Sequence, residues 1–128
     1  DPREPDNPRA LLAVLHLRDR AVSTSGNYQR YATIQGRRYS HIVDPRTGHT
    51  ADNVPSVTVV GPETLTTDIL GTALSVLGVE EGLRLVESMP GIEAMFITFD
   101  ERDQPLFVRS SGFAKYEAAP EGETDYRK

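Results

Sequence analysis

Hydrophobic and polar positions change their rhythm twice along this chain, and the changes mark out its elements. Residues 1–9 are polar and carry three prolines, so they read as an extended lead-in. Leu11 to Leu17 is a short apolar run that suits a buried strand, closed by the turn residues Arg18-Asp19-Arg20. Ala21 to Gly26 continues as a short strand ending in a glycine loop. Arg30 to Ile34 and Arg37 to Val43 flank Gln35-Gly36, which predicts a β-hairpin. Val54 to Val60 is a β-branched strand stopped by Gly61-Pro62. A helical period then runs from Glu63 to Leu77, with Gly78 as its C-terminal glycine, and a second helix is predicted from Glu80 to Met89, before Pro90-Gly91. Ile92 to Phe99 and Pro105 to Arg109 predict a closing hairpin around Glu101-Arg102-Asp103-Gln104. There is no internal repeat. Strands, then helices, then strands predict an α+β fold: a mostly antiparallel sheet with two consecutive helices packed on it. Residues 1–116 form the domain of that reading, and the acidic, Pro- and Gly-containing stretch 117–128 a flexible tail.

Composition narrows the function classes. A chain of 128 residues is one domain's worth. Its 14 Lys and Arg against 19 Asp and Glu leave a net charge of −5, which argues against bulk electrostatic binding to nucleic acid or an anionic membrane. With no cysteine there is no disulfide and no thiolate zinc site. No apolar stretch approaches the roughly 20 residues a membrane-spanning helix needs.

The first candidate site is on the predicted helix. At 3.6 residues per turn, Leu65, Val76, Ile69, Ala73, Leu77, Leu70 and Leu74 cover an arc of about 180°, and Ser75, Asp68 and Thr72 fall together in a narrow stripe of about 60°. Asp68 and Thr72 are one turn apart, so both oxygens can converge on one point. A hard cation such as Mg²⁺ takes a carboxylate, neutral oxygens, and phosphate or water oxygens. Gly71, beside the stripe, would let a ligand or backbone come close. The bland alternative makes Asp68 a partner of the helix dipole and Thr72 a small filler.

The second candidate is Tyr39-Ser40-His41-Ile42-Val43-Asp44-Pro45-Arg46-Thr47-Gly48. It is a strand that delivers a histidine and a carboxylate to a turn. Histidine is the usual proton acceptor from a hydroxyl, or a donor to phosphate. Asp44 before Pro45 is held extended, and Gly48 fits the turn's end, which makes a rigid corner. On the bland reading Asp44 only forms the turn and His41 is a satisfied sheet residue. Ser25-Gly26, with Tyr28 and Arg30, could bring backbone N–H groups to a phosphate or merely end a strand. Arg37, Arg38 and Arg46 could counter phosphate charge or be solvated surface.

Taken in order, Ser25-Gly26-Asn27-Tyr28-Gln29-Arg30-Tyr31, the run Tyr39 to Gly48, and Thr67-Asp68-Ile69-Leu70-Gly71-Thr72-Ala73-Leu74 resemble the C-terminal half of the ApbE-like FAD:protein FMN transferases. Val76-Leu77-Gly78, Gly82-Leu83, Ile92-Glu93-Ala94 and Ser111-Gly112-Phe113 continue the likeness. The resemblance implies Mg²⁺-dependent transfer of FMN from FAD to a Thr or Ser hydroxyl of a target flavoprotein, with release of AMP. It implies Asp68 and Thr72 as magnesium ligands, His41 as a catalytic or phosphate-contacting residue, and Ser25, Gly26 and Asp44 near the FAD. It also implies a periplasmic or cell-envelope setting, with a membrane anchor in the full-length parent. Family members are about twice as long, so the chain reads as their C-terminal part, and its exposed crevice is expected to self-associate or take a partner chain. Two other readings stay open: an FAD pyrophosphatase giving FMN and AMP, and a non-catalytic flavin-binding or scaffold fragment.

Overall fold

Val57, Val59 and Val60 have no solvent exposure, and the strand that carries them, β4 (Ser56–Gly61), is buried along its whole length. Three β-branched valines in an extended run, shielded on both faces, suit a central position. In the computed structural model, which describes all residues except Pro5, Pro8, 28–30 and 119–128, β4 pairs antiparallel with β1 (Ala21–Gly26) on one side and β5 (Glu93–Phe99) on the other. β6 (Pro105–Arg109) completes the sheet, in the order β1-β4-β5-β6. Across β1 and β4 the hydroxyls of Thr24 and Thr58 meet at 2.9 Å. A separate hairpin joins β2 (Tyr31–Ile34) to β3 (Arg37–Ser40). Gln35 and Gly36 both have positive φ, 51° and 77°, the signature of a turn that follows the twist of its strands. The side chains of Tyr31, Arg37 and Arg38 are outside the described set, as are residues 28–30, so the suggested roles of Tyr28, Arg30, Arg37 and Arg38 lie there too.

Strand alternation divides the core in two. Ala94 and Phe96 of β5 join Val57 and Val59 under the helix α1 (Thr64–Glu87), while Met95 and Ile97 join Val60 and Phe113 on the opposite face. The helical stretch α1 is broken at Gly78, which leaves helical geometry at φ 82° and ψ 177°, so the two predicted helices meet at that residue. No helix is long and apolar enough to cross a membrane among the described residues.

Three further expectations are corrected. The run Leu11–Leu17 is not a sheet strand but a strap across the second core, where Leu12, Ala13, Leu15 and Leu17 pack. Its backbone is satisfied by the segment after the 3₁₀ turn Phe113–Tyr116: His16 N–H donates to Tyr116 O at 2.8 Å, and Ala118 N–H to Val14 O at 2.9 Å. By the same bonds Glu117 and Ala118, placed in the tail by sequence, are part of the fold; 119–128 lie outside the described residues.

The third concerns the helix face. Of the apolar arc Leu74 is buried and Leu70 and Leu77 pack on the core, but Leu65 and Ile69 are 70% and 59% exposed, and the rest of the buried set is Thr67, Gly71, Ser75, Gly82 and Val86. Small residues win because the helix sits very close to the sheet. A β-carbon at Gly71 would lie 2.9 Å from Ser25 Oγ, and one at Gly82 would lie 2.9 Å from the Phe96 ring. Thr67 Oγ1 donates to Thr64 O at 2.9 Å, so at 3.0 Å it accepts from Ser23 Oγ. Gly71→Val is accordingly expected to destabilise the fold by about 1–3 kcal/mol through overpacking, read as a lower urea midpoint. An unchanged midpoint would mean that α1 does not rest on β1 at this spacing.

Candidate functional site

The corner after β3 is fixed by its own backbone. Thr47 and Gly48 N–H donate to Asp44 O at 3.2 and 2.8 Å, Asp44 N–H donates to His49 O at 2.8 Å, and Gly48 takes φ 73°. Asp44 Oδ1 also accepts Arg46 N–H at 2.8 Å, the self-bonding that makes aspartate a turn former. The Arg46 guanidinium closes a fork on the same carboxylate, Nε to Oδ1 at 3.0 Å and Nη2 to Oδ2 at 2.9 Å. The side-chain hydrogen bond from Arg46, and then its backbone N–H, hold the Asp44 carboxyl below its ordinary value of 3.8; the same pairing raises Arg46. Because the folded pKa is depressed, the fork's contribution is fully present above the unfolded value and fades as pH falls through the lowered one. Carbon NMR is expected to show Asp44 titrating below the usual carboxylate range and returning to it in Arg46→Ala. An unmoved midpoint would mean the fork does not persist in solution.

On the chain's other side of this corner, Ser40 is the last residue of β3 and is buried, so His41 emerges exposed just beyond the strand. Ser40 N–H donates to Asp52 Oδ1 at 3.2 Å, Thr50 Oγ1 donates to Asp52 Oδ2 at 2.5 Å, and Asn27 Nδ2 reaches Asp52 O at 3.2 Å. Asp52 thus ties the root of His41 to the end of β1. Nothing in the sequence pattern separated this aspartate from an ordinary loop residue.

A cleft of roughly 920 Å³ lies where the corner, the end of β1 and α1 meet. That is within the usual range for small-molecule sites. β1 supplies Thr24, Ser25 and Gly26; the corner supplies His41, Ile42, Val43, Pro45 and Arg46; α1 supplies Asp68, Thr72, Ala73, Val76 and Leu77. Of the six site residues that the family resemblance implied, five line one cavity: Ser25, Gly26, His41, Asp68 and Thr72. Asp44 does not line it, and its carboxylate is occupied by Arg46, which does. The apolar wall of Ile42, Val43, Ala73, Val76 and Leu77 was not foreseen as part of a site.

The bland explanations for the helix pair do not fit. Asp68 is the fifth residue of α1, whose first turn holds no acidic residue, so it is past the reach of the helix N-terminus. Thr72 is exposed and fills nothing. Among the described residues neither side chain has a hydrogen-bond or ion-pair partner, so both oxygens face the cleft unengaged. No group of three or more His, Cys, Asp or Glu side chains converges among the described residues. A cation at Asp68 and Thr72 would thus draw the rest of its shell from ligand, water or other polypeptide, a donor set that fits Mg²⁺.

Comparisons with known proteins bear on the whole arrangement. The model of the ApbE family matches residues 1–96. The FAD:protein FMN transferase of Klebsiella pneumoniae is 42% identical over 91 residues, 70% of this chain and 29% of that protein. The FAD:protein FMN transferase of Treponema pallidum is 43% identical over 90 residues, 70% of this chain and 25% of that protein. Among solved structures, the ApbE protein of Thermotoga maritima superposes with a TM-score of 0.76 at 32% identity, over 93% of this chain and 37% of that one. The apo flavinyl transferase ApbE of Pseudomonas stutzeri gives 0.66 at 39% identity, over 82% of this chain and 33% of that one. The chain spans little more than a quarter of the length of the two curated relatives. It belongs to the ApbE family.

Proposed function

We propose that this chain is the C-terminal part of an FAD:protein FMN transferase, and that its cleft holds the diphosphate of FAD while an acceptor hydroxyl attacks. The observation that carries this is the gathering of Ser25, Gly26, His41, Asp68 and Thr72 around one cavity. In the reaction, the oxygen of a Thr or Ser hydroxyl on a target flavoprotein bonds to the phosphorus of the FMN part. The bond from that phosphorus to the bridging oxygen breaks, and AMP leaves with the electron pair. Phosphoryl chemistry of this kind needs positioning and charge neutralisation more than a protein nucleophile.

Each residue then has a defined task. Asp68 and Thr72 would hold Mg²⁺, which when bound supplies positive charge against the diphosphate. His41 takes the proton of the incoming hydroxyl. Ser25 and Gly26 form the floor near the phosphates, and the wall of Ile42, Val43 and Val76 receives an apolar ring. The remaining pocket comes from polypeptide that this chain does not contain. Leu65 and Ile69 of α1, with the 41%-exposed Val22 on the edge strand β1, offer that polypeptide a surface. In its absence the same surface is expected to make this chain self-associate, which light scattering would read as a mass above 14.1 kDa.

The test is AMP release from FAD with Mg²⁺, run with a Thr-containing target peptide and read by flavin fluorescence on a denaturing gel. AMP together with a fluorescent peptide is the expected result. AMP with free FMN would make the protein a pyrophosphatase. Neither product, in this chain or in one restored to the relatives' length, would reduce it to a binding module.

A further inference from the structure

Resting on the reading of the cleft as an FAD site, we propose that Arg46 is a second anion anchor, held by Asp44 to grip the diphosphate at the end of the cleft away from Asp68 and Thr72. Arg46 lines the cavity and is the sole lysine or arginine among the described lining residues. Its fork to Asp44 uses Nε and Nη2. Nη1 makes no hydrogen bond to a described residue; it forms only a long ion pair with the exposed Glu81 Oε2 at 3.8 Å, beyond hydrogen-bond range. A guanidinium has five N–H donors in a fixed plane, so a side chain clamped along one edge still presents the other edge in a set direction. The clamp matters because an unrestrained surface arginine would lose rotamer freedom on gripping a ligand, and Arg46 has given up that freedom already.

The spacing selects the ligand class. Arg46 comes within 3.8 Å of Glu81, beyond the break at Gly78, while Asp68 and Thr72 lie before that break, with Leu77 the last lining residue ahead of it. Thr72 and Leu77 are five residues apart, roughly 7.5 Å along a helix axis. One phosphate beside a cation at Asp68 and Thr72 would not extend to the guanidinium, whereas a diphosphate presents oxygens in both directions. Asp44 is then a positioning residue that never touches the ligand. The alternative is that the Asp44–Arg46 fork only staples the corner. Against it, the corner already has the backbone bonds to Asp44 O and from Asp44 N–H without any guanidinium.

The experiment compares binding of FAD, ADP and riboflavin to the wild-type chain, Arg46→Lys, Arg46→Ala and Asp44→Asn in Mg²⁺, with amide NMR spectra as the control for folding. Arg46→Ala is expected to weaken FAD and ADP by about tenfold and leave riboflavin unchanged, because the lost contact is to phosphate. Arg46→Lys restores part of the loss, Asp44→Asn loses a smaller part, and the salt dependence of FAD binding flattens in Arg46→Ala. If the wild type binds FAD and Arg46→Ala binds it equally well, or loses all three ligands alike, the anchor is overturned and the site reading stands. If the wild type binds neither FAD nor ADP, both are overturned.

Discussion

Asp68→Ala is expected to lower Mg²⁺-dependent AMP release from FAD by about 100-fold or more, because on the proposed function Asp68 is the carboxylate that would hold the cation. The variant separates function from fold unusually well. Asp68 is exposed, has no partner among the described residues, and stands beyond the first helical turn. Alanine is also the better helix former, so thermal stability should hold or rise slightly. Thr72→Val should follow in the same direction with a smaller loss, since a neutral oxygen is easier for water to replace than a charged one. Full AMP release from a stable Asp68→Ala protein would remove the cation from this end of the cleft.

Phe96→Ala is expected to cost about 3–5 kcal/mol, a large part of the 5–15 kcal/mol by which a domain of this size is stable. The ring has no solvent exposure and lies in the core between sheet and helix with Leu74, Val86, Val57 and Val59. It also occupies the space that a side chain at position 82 would take, since a β-carbon on Gly82 would come within 2.9 Å of Cζ and 3.2 Å of Leu74 Cδ2. Close helix–sheet contact leaves little freedom for the site to collapse around the vacancy. Urea unfolding monitored by circular dichroism reads the loss directly. A cost under about 1 kcal/mol would mean that the helix does not sit as near to β5 as described.

How much was legible in the chain depended on whether local chemistry and tertiary environment agreed. The valine-rich strand, the strand ending at Gly26 and the hairpin at Gln35-Gly36 each carried the same instruction at every level, the second appearing with the predicted bounds and the others with ends shifted by at most three residues. The helix was legible as a helix but not as a packing surface. Only the Leu70, Leu74 and Leu77 edge of its leucine-rich arc meets the core, and the sheet takes the neighbouring side with Gly71, Ser75 and Gly82 because small residues allow backbones this close. Leu65 and Ile69 stay exposed. The strap at Leu11–Leu17 read as a strand because a short apolar run does not say whether its backbone bonds enter a sheet or meet a single segment such as Tyr116–Ala118.

The candidate site shows the same division. Asp68, Thr72 and His41 could be singled out only through the order and spacing of their motifs, because each alone has an ordinary structural use. Asp44 was visible for the right motif but with an incomplete role, since its carboxylate faces Arg46 and the cleft receives the guanidinium. Asp52 was invisible, because its importance lies in joining Ser40 and Asn27, two residues that only the fold brings together.

One measurement bears on the centre of all this: amide chemical-shift perturbation of the isotope-labelled chain, titrated with FAD in the presence and absence of Mg²⁺. The expected result is a connected set of shifts at Ser25, Gly26, His41, Asp68 and Thr72, with Mg²⁺ strengthening FAD binding and Asp68→Ala removing that linkage. Shifts confined to another face of the sheet, or no saturable shift at all, would contradict the assignment of this cleft as the flavin nucleotide site.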